Sequence, residues 1–244
     1  FALKRLLAAG APDIYQLGKA FRADEAGAHH RPEFTLLEWY RRGWDYRALM
    51  TETAELVGTV LPLGQVRAHA WRELLARCCE ADPLDAPESA LWDALTRAGH
   101  EVSPAARGGG RAAALDLLFA HVVEPRFLRD GATVVYDFPA WQTALARCCA
   151  HDARLAQRFE LYVNGLELAN GYTELTDPAQ ARARFEADNA ARRAAGLAAM
   201  ALDEALLSAL GELPECAGVA LGFDRLAMLV AGVTDIRAVL PLEA

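Results

Sequence analysis

The sequence predicts an α+β fold in which a mixed, mostly antiparallel sheet is flanked by helices. Segments with strand character follow one another as hairpin pairs and do not alternate with helices, which disfavours a parallel βαβ sheet. Asn164 and Gly165 separate two such segments and form the strongest short-range hairpin signal. Much of the remaining chain carries apolar residues at three-to-four spacing, which predicts helices.

The composition predicts an ordinary cytoplasmic protein. Of the 244 residues, 53% are hydrophobic and 24% are charged, which suits one catalytic domain spanning residues 1–244. No segment approaches the apolar length of a membrane span, so no membrane partner is expected. The net charge of −8 disfavours broad nucleic-acid binding. The five cysteines lack the spacing of a zinc or redox motif, so we expect buried thiols and no structural zinc.

The first half of the chain is predicted to contain two strands and a helical region. The strands cover residues 14–21 and 34–40, and a polar, glycine-containing loop joins them. Residues 45–130 follow as a mainly helical insertion. Its helices are expected at residues 46–61, 71–79, 88–98 and 112–127.

The second half adds four further strands and two helices. A short β-branched strand is expected at residues 133–136. Residues 158–163 and 166–169 flank the Asn164-Gly165 turn. A long polar helix comes next, and a glycine-interrupted strand at residues 216–223 leads into the last helix.

The first candidate site surrounds the loop between the two opening strands. Arg22 closes one strand and His30 precedes the next, so both cationic side chains can face one concave space. Alternation along the second strand places Phe34, Glu38 and Tyr40 on one face. A ring, two cations and an acid suit an aromatic base joined to phosphates. The alternative is an amphipathic hairpin with a solvated charged face, but Glu38 would then need a partner.

Two acidic residues flank the later hairpin turn. We expect Glu160 and Glu167 to lie across from each other, where like charges repel unless a cation separates them. Oxygen-only ligands are typical of Mg²⁺, which binds one or two carboxylates together with phosphate oxygens. The alternative is a pair of solvent-facing glutamates.

Glycines and an arginine mark the last strand and the helix after it. Gly218 and Gly222 let a ligand or a helix approach the strand closely. Arg225 lies in the first helical turn, where a cation opposes the helix dipole unless an anion is bound. The alternative is a surface ion pair between Arg225 and Asp224.

These three segments resemble, in the same order, motif 2, the acidic metal-binding segment and motif 3 of class II aminoacyl-tRNA synthetases. FRADEAGAHHRPEFTLLEWY and FELYVNGLELANGYTELTD are similar to the lysyl members of that family. The resemblance implies a class II synthetase-like catalytic core. KRLLAAG, EFTLLEWYR, VYDFPA and GVALGFDRL are typical of the short branch of the family that ligates a lysine to elongation factor P.

For ATP, the resemblance implies that Arg22 holds the α-phosphate and the substrate carboxylate. His30 and Arg225 would bind the terminal phosphates, and Phe34 and Arg225 would sandwich the adenine. Asp24, which stands where the family usually has glutamate, would contact the adenine with a shorter side chain. Arg22 and Arg225 are therefore the implied catalytic residues.

For the metal and the amino acid, the resemblance implies a second set of residues. Glu160 and Glu167 would hold Mg²⁺, and Glu160 would also belong to the ATP site. Glu174 and Tyr40 would take the ε-ammonium of a lysine-like substrate. The implied amino-acid site comprises Glu38, Tyr40, Asn170, Glu174 and Ala220.

Two further departures from the family pattern shape the expected function. Ala220 stands where lysyl-tRNA synthetases have glycine, and alanine there is typical of the elongation factor P branch. The chain begins at Phe1, just after the position of a family glutamate that binds the substrate amino group. Motif 1, which forms the dimer helix, should lie upstream, so we expect an N-terminally incomplete chain whose full-length form is a homodimer.

The resemblance therefore implies ATP-dependent activation of lysine or β-lysine and transfer of the aminoacyl group to a lysine of elongation factor P. One alternative is a lysyl-tRNA synthetase core with tRNA as acceptor, which Ala220 and the acidic charge disfavour. A second alternative is a non-catalytic, amino-acid-sensing paralogue. We rank this possibility last because both arginines and both carboxylates of the implied site are present, namely Arg22, Arg225, Glu160 and Glu167.

Overall fold

A seven-stranded sheet organises the chain in a computed structural model that describes residues 1–23 and 27–240. The strand order is β1-β2-β7-β6-β5-β4-β3, and neighbouring strands among the described residues are antiparallel except for the parallel pair β3–β4. This confirms the predicted α+β fold with a mixed, mostly antiparallel sheet. The strands are β1 Ile14–Phe21, β2 Glu33–Arg42, β3 Arg67–Ala70, β4 Ala132–Pro139, β5 Leu155–Val163, β6 Leu166–Thr173 and β7 Cys216–Gly222.

Helices cover parts of both sheet faces, and a side-chain cap marks the start of α2. Asp45 caps α2 by accepting hydrogen bonds from Arg47 N and Ala48 N, both at 3.0 Å. No helix among the described residues is long and apolar enough to cross a bilayer. The α-helices are α1 Ala2–Ala8, α2 Tyr46–Gly58, α3 Trp71–Cys79, α4 Glu88–Arg97, α5 Pro104–Arg107, α6 Gly110–Leu118, α7 Pro178–Ala194, α8 Glu204–Leu210 and α9 Phe223–Ala231.

The region predicted as a helical insertion is mainly helical, with two differences. Residues Arg67–Ala70 form β3 at the sheet edge, although four residues are too few for a clear strand pattern. The helix expected at residues 112–127 is divided into α6 and a π-helix over Phe119–Leu128. Pro125 lies within the π-helix and cannot donate the backbone hydrogen bond that an α-helix needs. The extent of the domain, residues 1–244, stays a prediction.

The hairpin turn forms where the sequence predicts it, but a bulge changes the register of its strands. Asn164 and Gly165 have positive φ angles of 51° and 80°. Tyr162 pairs with Glu167, and Glu160 pairs with Asn170, so the expected direct opposition of Glu160 and Glu167 is wrong. The register shifts because Leu168 is an extra residue on β6.

Because of that bulge, an odd-numbered and an even-numbered residue of β6 point to the same face of the sheet. Glu167 shares the face of its partner Tyr162, while Asn170 shares the face of Glu160. Tyr162 donates a hydrogen bond to Glu160, so the two β5 residues lie on the same face. Glu167 and Asn170 therefore point to the same side, although simple alternation would separate them.

Helix α2 packs against the opposite face of the sheet centre. Thr173 Oγ1 accepts a hydrogen bond from Tyr46 N at 2.9 Å, and Trp39 Nε1 donates to Glu52 at 2.9 Å. Thr173 and Trp39 alternate with Glu174 and the other predicted site residues of β6 and β2. The sheet centre thus buries one face under α2 and leaves the other for a ligand site.

Candidate active site

A cleft lies on the free face of the sheet centre and brings together seven of the predicted site residues. Its walls come from β2, β6, β7 and α9, with the chain around residues 29–31 at one side. The structure does not describe Asp24, so the expected adenine contact of that residue lies outside the described residues. The seven are Arg22, His30, Phe34, Glu167, Asn170, Ala220 and Arg225.

Cross-strand pairing sets four site residues in one row across the sheet. Glu38 pairs with Ala220, Ala220 pairs with Asn170, and Asn170 pairs with Glu160. Paired residues on adjacent strands point to the same face, with Cβ atoms roughly 5 Å apart. The β5–β6 hairpin and two strands that are distant from it in sequence thereby present their side chains side by side.

Three cationic or potentially cationic side chains gather at one end of this face. Arg225 Nη2 lies 2.6 Å from His30 Nε2, and its Nη1 donates to the backbone oxygen of Glu167 at 2.8 Å. The guanidinium carbon of Arg22 lies 5.4 Å from the centre of the Phe34 ring. A ring stacked on one cation, with two further nitrogen groups nearby, suits a nucleotide.

Asp224 fixes the helix that carries Arg225. Its carboxylate is buried, and Oδ2 accepts a hydrogen bond from Thr35 N on β2 at 2.6 Å. The alternative of a surface pair between Asp224 and Arg225 is therefore wrong. Asp224 is tied to β2, while Arg225 points into the cleft, where its Nη1 is 3.8 Å from Glu167 Oε2.

Burial and mutual repulsion both act on the carboxylates near the turn. Glu160 is buried, and it accepts hydrogen bonds from Tyr162 OH at 2.6 Å and Asn170 Nδ2 at 3.1 Å. Arg158 forms an ion pair with it. Burial raises the pKa of Glu160 to about 7, with a further contribution from Glu167, although Arg158 opposes the shift.

Sequence reasoning missed a third carboxylate beside this pair. Burial, reinforced by Glu167, raises the pKa of Glu124 in the π-helix to about 7. The metal-ligating atoms of Glu160 and Glu167 are carboxylate oxygens on one face of the sheet, which fits Mg²⁺. A bound cation would also offset the repulsion that adds to the effect of burial on these pKa values. Glu124 gives no sequence signal because the π-helix interrupts the helical periodicity.

At the other end of the face, Glu174 forms a buried ion pair. This carboxylate is 1% exposed and pairs with Lys4 Nζ, which also lies 3.3 Å from Tyr172 OH. Its Oε1 atom is buried and has no hydrogen-bond partner among the described residues. Tyr40 OH donates to Glu38 beside it. An orphaned carboxylate oxygen in a closed pocket is an acceptor for one more donor.

The pKa shifts at this end follow from the same burial. Burial raises the pKa of Glu174 while Lys4 lowers it, and the net direction is upward. Burial alone lowers the pKa of Lys4, but Glu174 and Tyr172 outweigh it and raise the pKa overall. Burial, with Glu174 and Glu38, also raises the pKa of Tyr40, so this phenol keeps its proton.

Gly218 makes room for the side chains of Tyr40 and Glu174. A Cβ atom at this position would lie 2.9 Å from Glu174 Oε1 and closer still to the ring of Tyr40. Lys4 was not predicted from the sequence, although its position three residues before Leu7 places both on one face of α1. Glu38, Tyr40, Glu160 and Glu174 adjoin the cleft on the same sheet face without lining it.

Comparison with known proteins agrees with this arrangement. The family model described as tRNA synthetases class II (D, K and N) matches residues 1–243. Elongation factor P–(R)-β-lysine ligase of Pectobacterium atrosepticum is 46% identical over 94% of this chain and 70% of its own length. The ligases of the same name from Vibrio cholerae and Pseudoalteromonas translucida are 46% and 44% identical, over 98% and 100% of this chain and 74% and 75% of their own lengths.

Proposed function

This chain belongs to the class II tRNA synthetases of the D, K and N group, and we propose that it activates (R)-β-lysine with ATP and transfers it to elongation factor P. One observation carries the proposal. A buried, unpartnered Glu174 oxygen and the cluster of Arg22, His30 and Arg225 lie at two ends of one sheet face. The first is an acceptor for an ammonium group, and the second suits a polyphosphate.

The length of this face suits an amino acid joined to a nucleotide. Gly222 adjoins Arg225, and Gly218 adjoins Glu174, four residues away on β7. Four residues of strand span about 13 Å. A lysine-like side chain can extend from Glu174 toward the centre, where its carboxylate would meet the α-phosphate of ATP.

In the first step, a carboxylate oxygen of the substrate forms a bond to the α-phosphorus while the bond to pyrophosphate breaks. Arg22 would hold the two reacting groups together, and His30 and Arg225 would neutralise the departing pyrophosphate. Mg²⁺ held by Glu160 and Glu167 would supply further charge neutralisation on the phosphate oxygens. In the second step, an acceptor amine forms a bond to the acyl carbon and loses a proton to solvent, while the acyl–oxygen bond breaks and AMP leaves.

Charge balance supports a substrate with two ammonium groups. Glu38 and Glu174 bring two negative charges, and Lys4 brings one positive charge. The pocket therefore keeps one net negative charge for a substrate whose own net charge is positive. Glu174 Oε1 would accept the ε-ammonium together with the Tyr40 oxygen, and Glu38 would lie near the second amino group.

The β-lysine preference rests on Ala220. Its methyl group lies between Glu38 and Asn170 in the cross-strand row and lines the cleft. This methyl takes room that glycine would leave open, and an amino group one carbon further from the carboxylate would avoid it. The names of the relatives support the same substrate and the same acceptor protein. A homodimer and a cytoplasmic location also remain proposals.

Pyrophosphate exchange by the full-length protein tests the proposal. We expect exchange with (R)-β-lysine to exceed exchange with α-lysine, and the activated group to appear on elongation factor P. Efficient charging of tRNA with α-lysine would instead identify a lysyl-tRNA synthetase. The absence of exchange with either amino acid would identify a non-catalytic paralogue.

A further inference from the structure

Three side chains with metal-ligating groups meet at the far end of β4, outside the cleft. Asp137, Cys149 and His151 each offer one donor atom, and these atoms all lie within 4.8 Å of one another. Cys149 Sγ is 3.5 Å from Asp137 Oδ1, and His151 Nε2 is 3.8 Å from Asp137 Oδ2. None of the three lines the cleft described above.

These separations match a tetrahedral zinc site. Zinc binds oxygen and nitrogen at roughly 2.0–2.2 Å and sulfur at roughly 2.3 Å. A tetrahedron with such bonds places its donor atoms roughly 3.3–3.6 Å apart. The donor atoms lie at most 4.8 Å apart, so a movement of about 1 Å at the exposed His151 ring would complete three of four positions.

The backbone holds two of the donors in place. Asp137 has a φ of 58° at the bulge between Tyr136 and Phe138, which takes its side chain out of the regular strand alternation. Cys149 N donates to the backbone oxygen of Leu155 at 2.8 Å, which ties its loop to β5. Both side chains are buried, whereas the His151 side chain is 61% exposed and leaves a path for an ion.

We propose that Asp137, Cys149 and His151 bind one borderline-soft divalent cation, with zinc as the best match and a water molecule in the fourth position. The mixed oxygen, sulfur and nitrogen set favours zinc or cobalt over magnesium. Binding forms a metal–sulfur bond as the Cys149 S–H bond breaks, and the proton passes to solvent. Cysteine spacing does not predict this site because two of its donors are not cysteines.

Two neighbours of Asp137 affect the site in opposite ways. Tyr46 OH donates to Oδ1 at 2.5 Å and orients the carboxylate, as outer partners of metal ligands commonly do. Arg47 Nη2 lies 3.6 Å from Oδ2 and competes with a cation. The Arg47 side chain is half exposed and stacks on Tyr136, so its head group can turn toward solvent. Burial and Asp137 raise the pKa of Cys149 to about 12, so a proton also competes with the metal.

The site would stiffen the loop beside Glu174. Arg147 N donates to the oxygen of Thr173 at 2.9 Å, and Leu175 N donates to the oxygen of Leu145 at 2.8 Å. Ala146 forms a β-bridge with Glu174 itself. A cation on Cys149 would therefore add a further anchor to the segment that pairs with Glu174.

Cobalt titration of the full-length protein after chelator treatment tests the proposal. We expect one equivalent of Co²⁺ to produce a thiolate-to-cobalt charge-transfer band, which Zn²⁺ then displaces. Cys149→Ser should abolish the band, and His151→Ala should weaken binding by at least about tenfold. Cys148→Ser is the matched control and should keep the band, because Cys148 Sγ contacts Arg184 and is not part of the cluster.

Arg47→Met provides an independent test, because this substitution should strengthen metal binding where the others weaken it. Removal of the competing cation should tighten Co²⁺ binding by about tenfold, since unit charges a few ångströms apart interact appreciably near a protein surface. A circular dichroism spectrum checks that each variant is folded. A band that survives Cys149→Ser, unchanged affinity in the folded His151→Ala variant, or no band in the parent protein would overturn the proposal. These readouts do not depend on ligase activity.

Discussion

Replacing Lys4 by methionine removes the ammonium group from the buried pair with Glu174 and keeps most of the aliphatic stem. Both side chains are almost fully buried, at 5% and 1% exposure, so water cannot replace the lost partner. Breaking a buried pair by removing one member typically costs about 3–5 kcal/mol. For a chain of this size, that loss corresponds to a fall in Tm of roughly 6–20 °C.

The effect should depend on pH in a defined direction. Lys4 lowers the pKa of Glu174 against the effect of burial, so its removal raises that pKa further. A carboxyl group whose pKa rises on folding favours the folded state below its unfolded pKa of about 4.3 and disfavours it as the pH rises. The stability deficit should therefore be largest at neutral pH and shrink as the pH falls toward the unfolded pKa of about 4.3.

Urea denaturation of a double-mutant cycle measures the pair. Lys4→Met and Glu174→Gln should each destabilise the protein, because each leaves one buried charge without its partner. The double variant should lose at least about 1 kcal/mol less than the sum of the two single losses. Additive losses, or a Lys4→Met deficit that grows toward pH 4, would refute the reasoning.

Three further changes test the proposed site. Arg22→Ala should reduce pyrophosphate exchange by at least about 100-fold without altering the circular dichroism spectrum, and near-normal exchange would contradict its proposed role. Ala220→Gly should narrow a preference for β-lysine over α-lysine that we expect to be about tenfold, and an unchanged ratio would count against the methyl group. Gly218→Ala should cost about 1–3 kcal/mol in urea denaturation because its Cβ would clash with Tyr40. Gly211→Ala has open space around the added Cβ and is the control, so equal losses would contradict the argument.

Local patterns were sufficient to predict most of the sheet. The predicted first strand coincides with β1, and the Asn164-Gly165 turn forms with both residues at positive φ. Strand β3 escaped prediction because its four residues gain their order from pairing with β4 and carry little pattern of their own. The division of the last helix of the insertion depends on Pro125 and on packing against its neighbours.

Some residues of the candidate site could likewise be predicted from local sequence, whereas others depend on tertiary packing. Arg22, Phe34 and Arg225 could be predicted because each lies in a recognisable segment, and the structure brings them to one cleft. The pairing of Glu160 with Asn170 could not, because the bulge that shifts the register is set by the surrounding strands. Lys4 was missed because only the packing of α1 against the sheet end brings its ammonium group to the pocket.

The position of β7 also has a consequence for the time at which the pocket can form. This strand lies between β2 and β6, yet most of the chain separates it from β2 in sequence. Such non-local pairing slows folding, because the long intervening chain must be ordered before the contact can form. During synthesis, β2 and β6 leave the ribosome first and keep open edges until residues 216–222 arrive. Binding of ATP and the amino acid should therefore report the last stage of folding. A nascent chain that ends before residue 216 lacks β7, the strand that joins the two halves of the pocket.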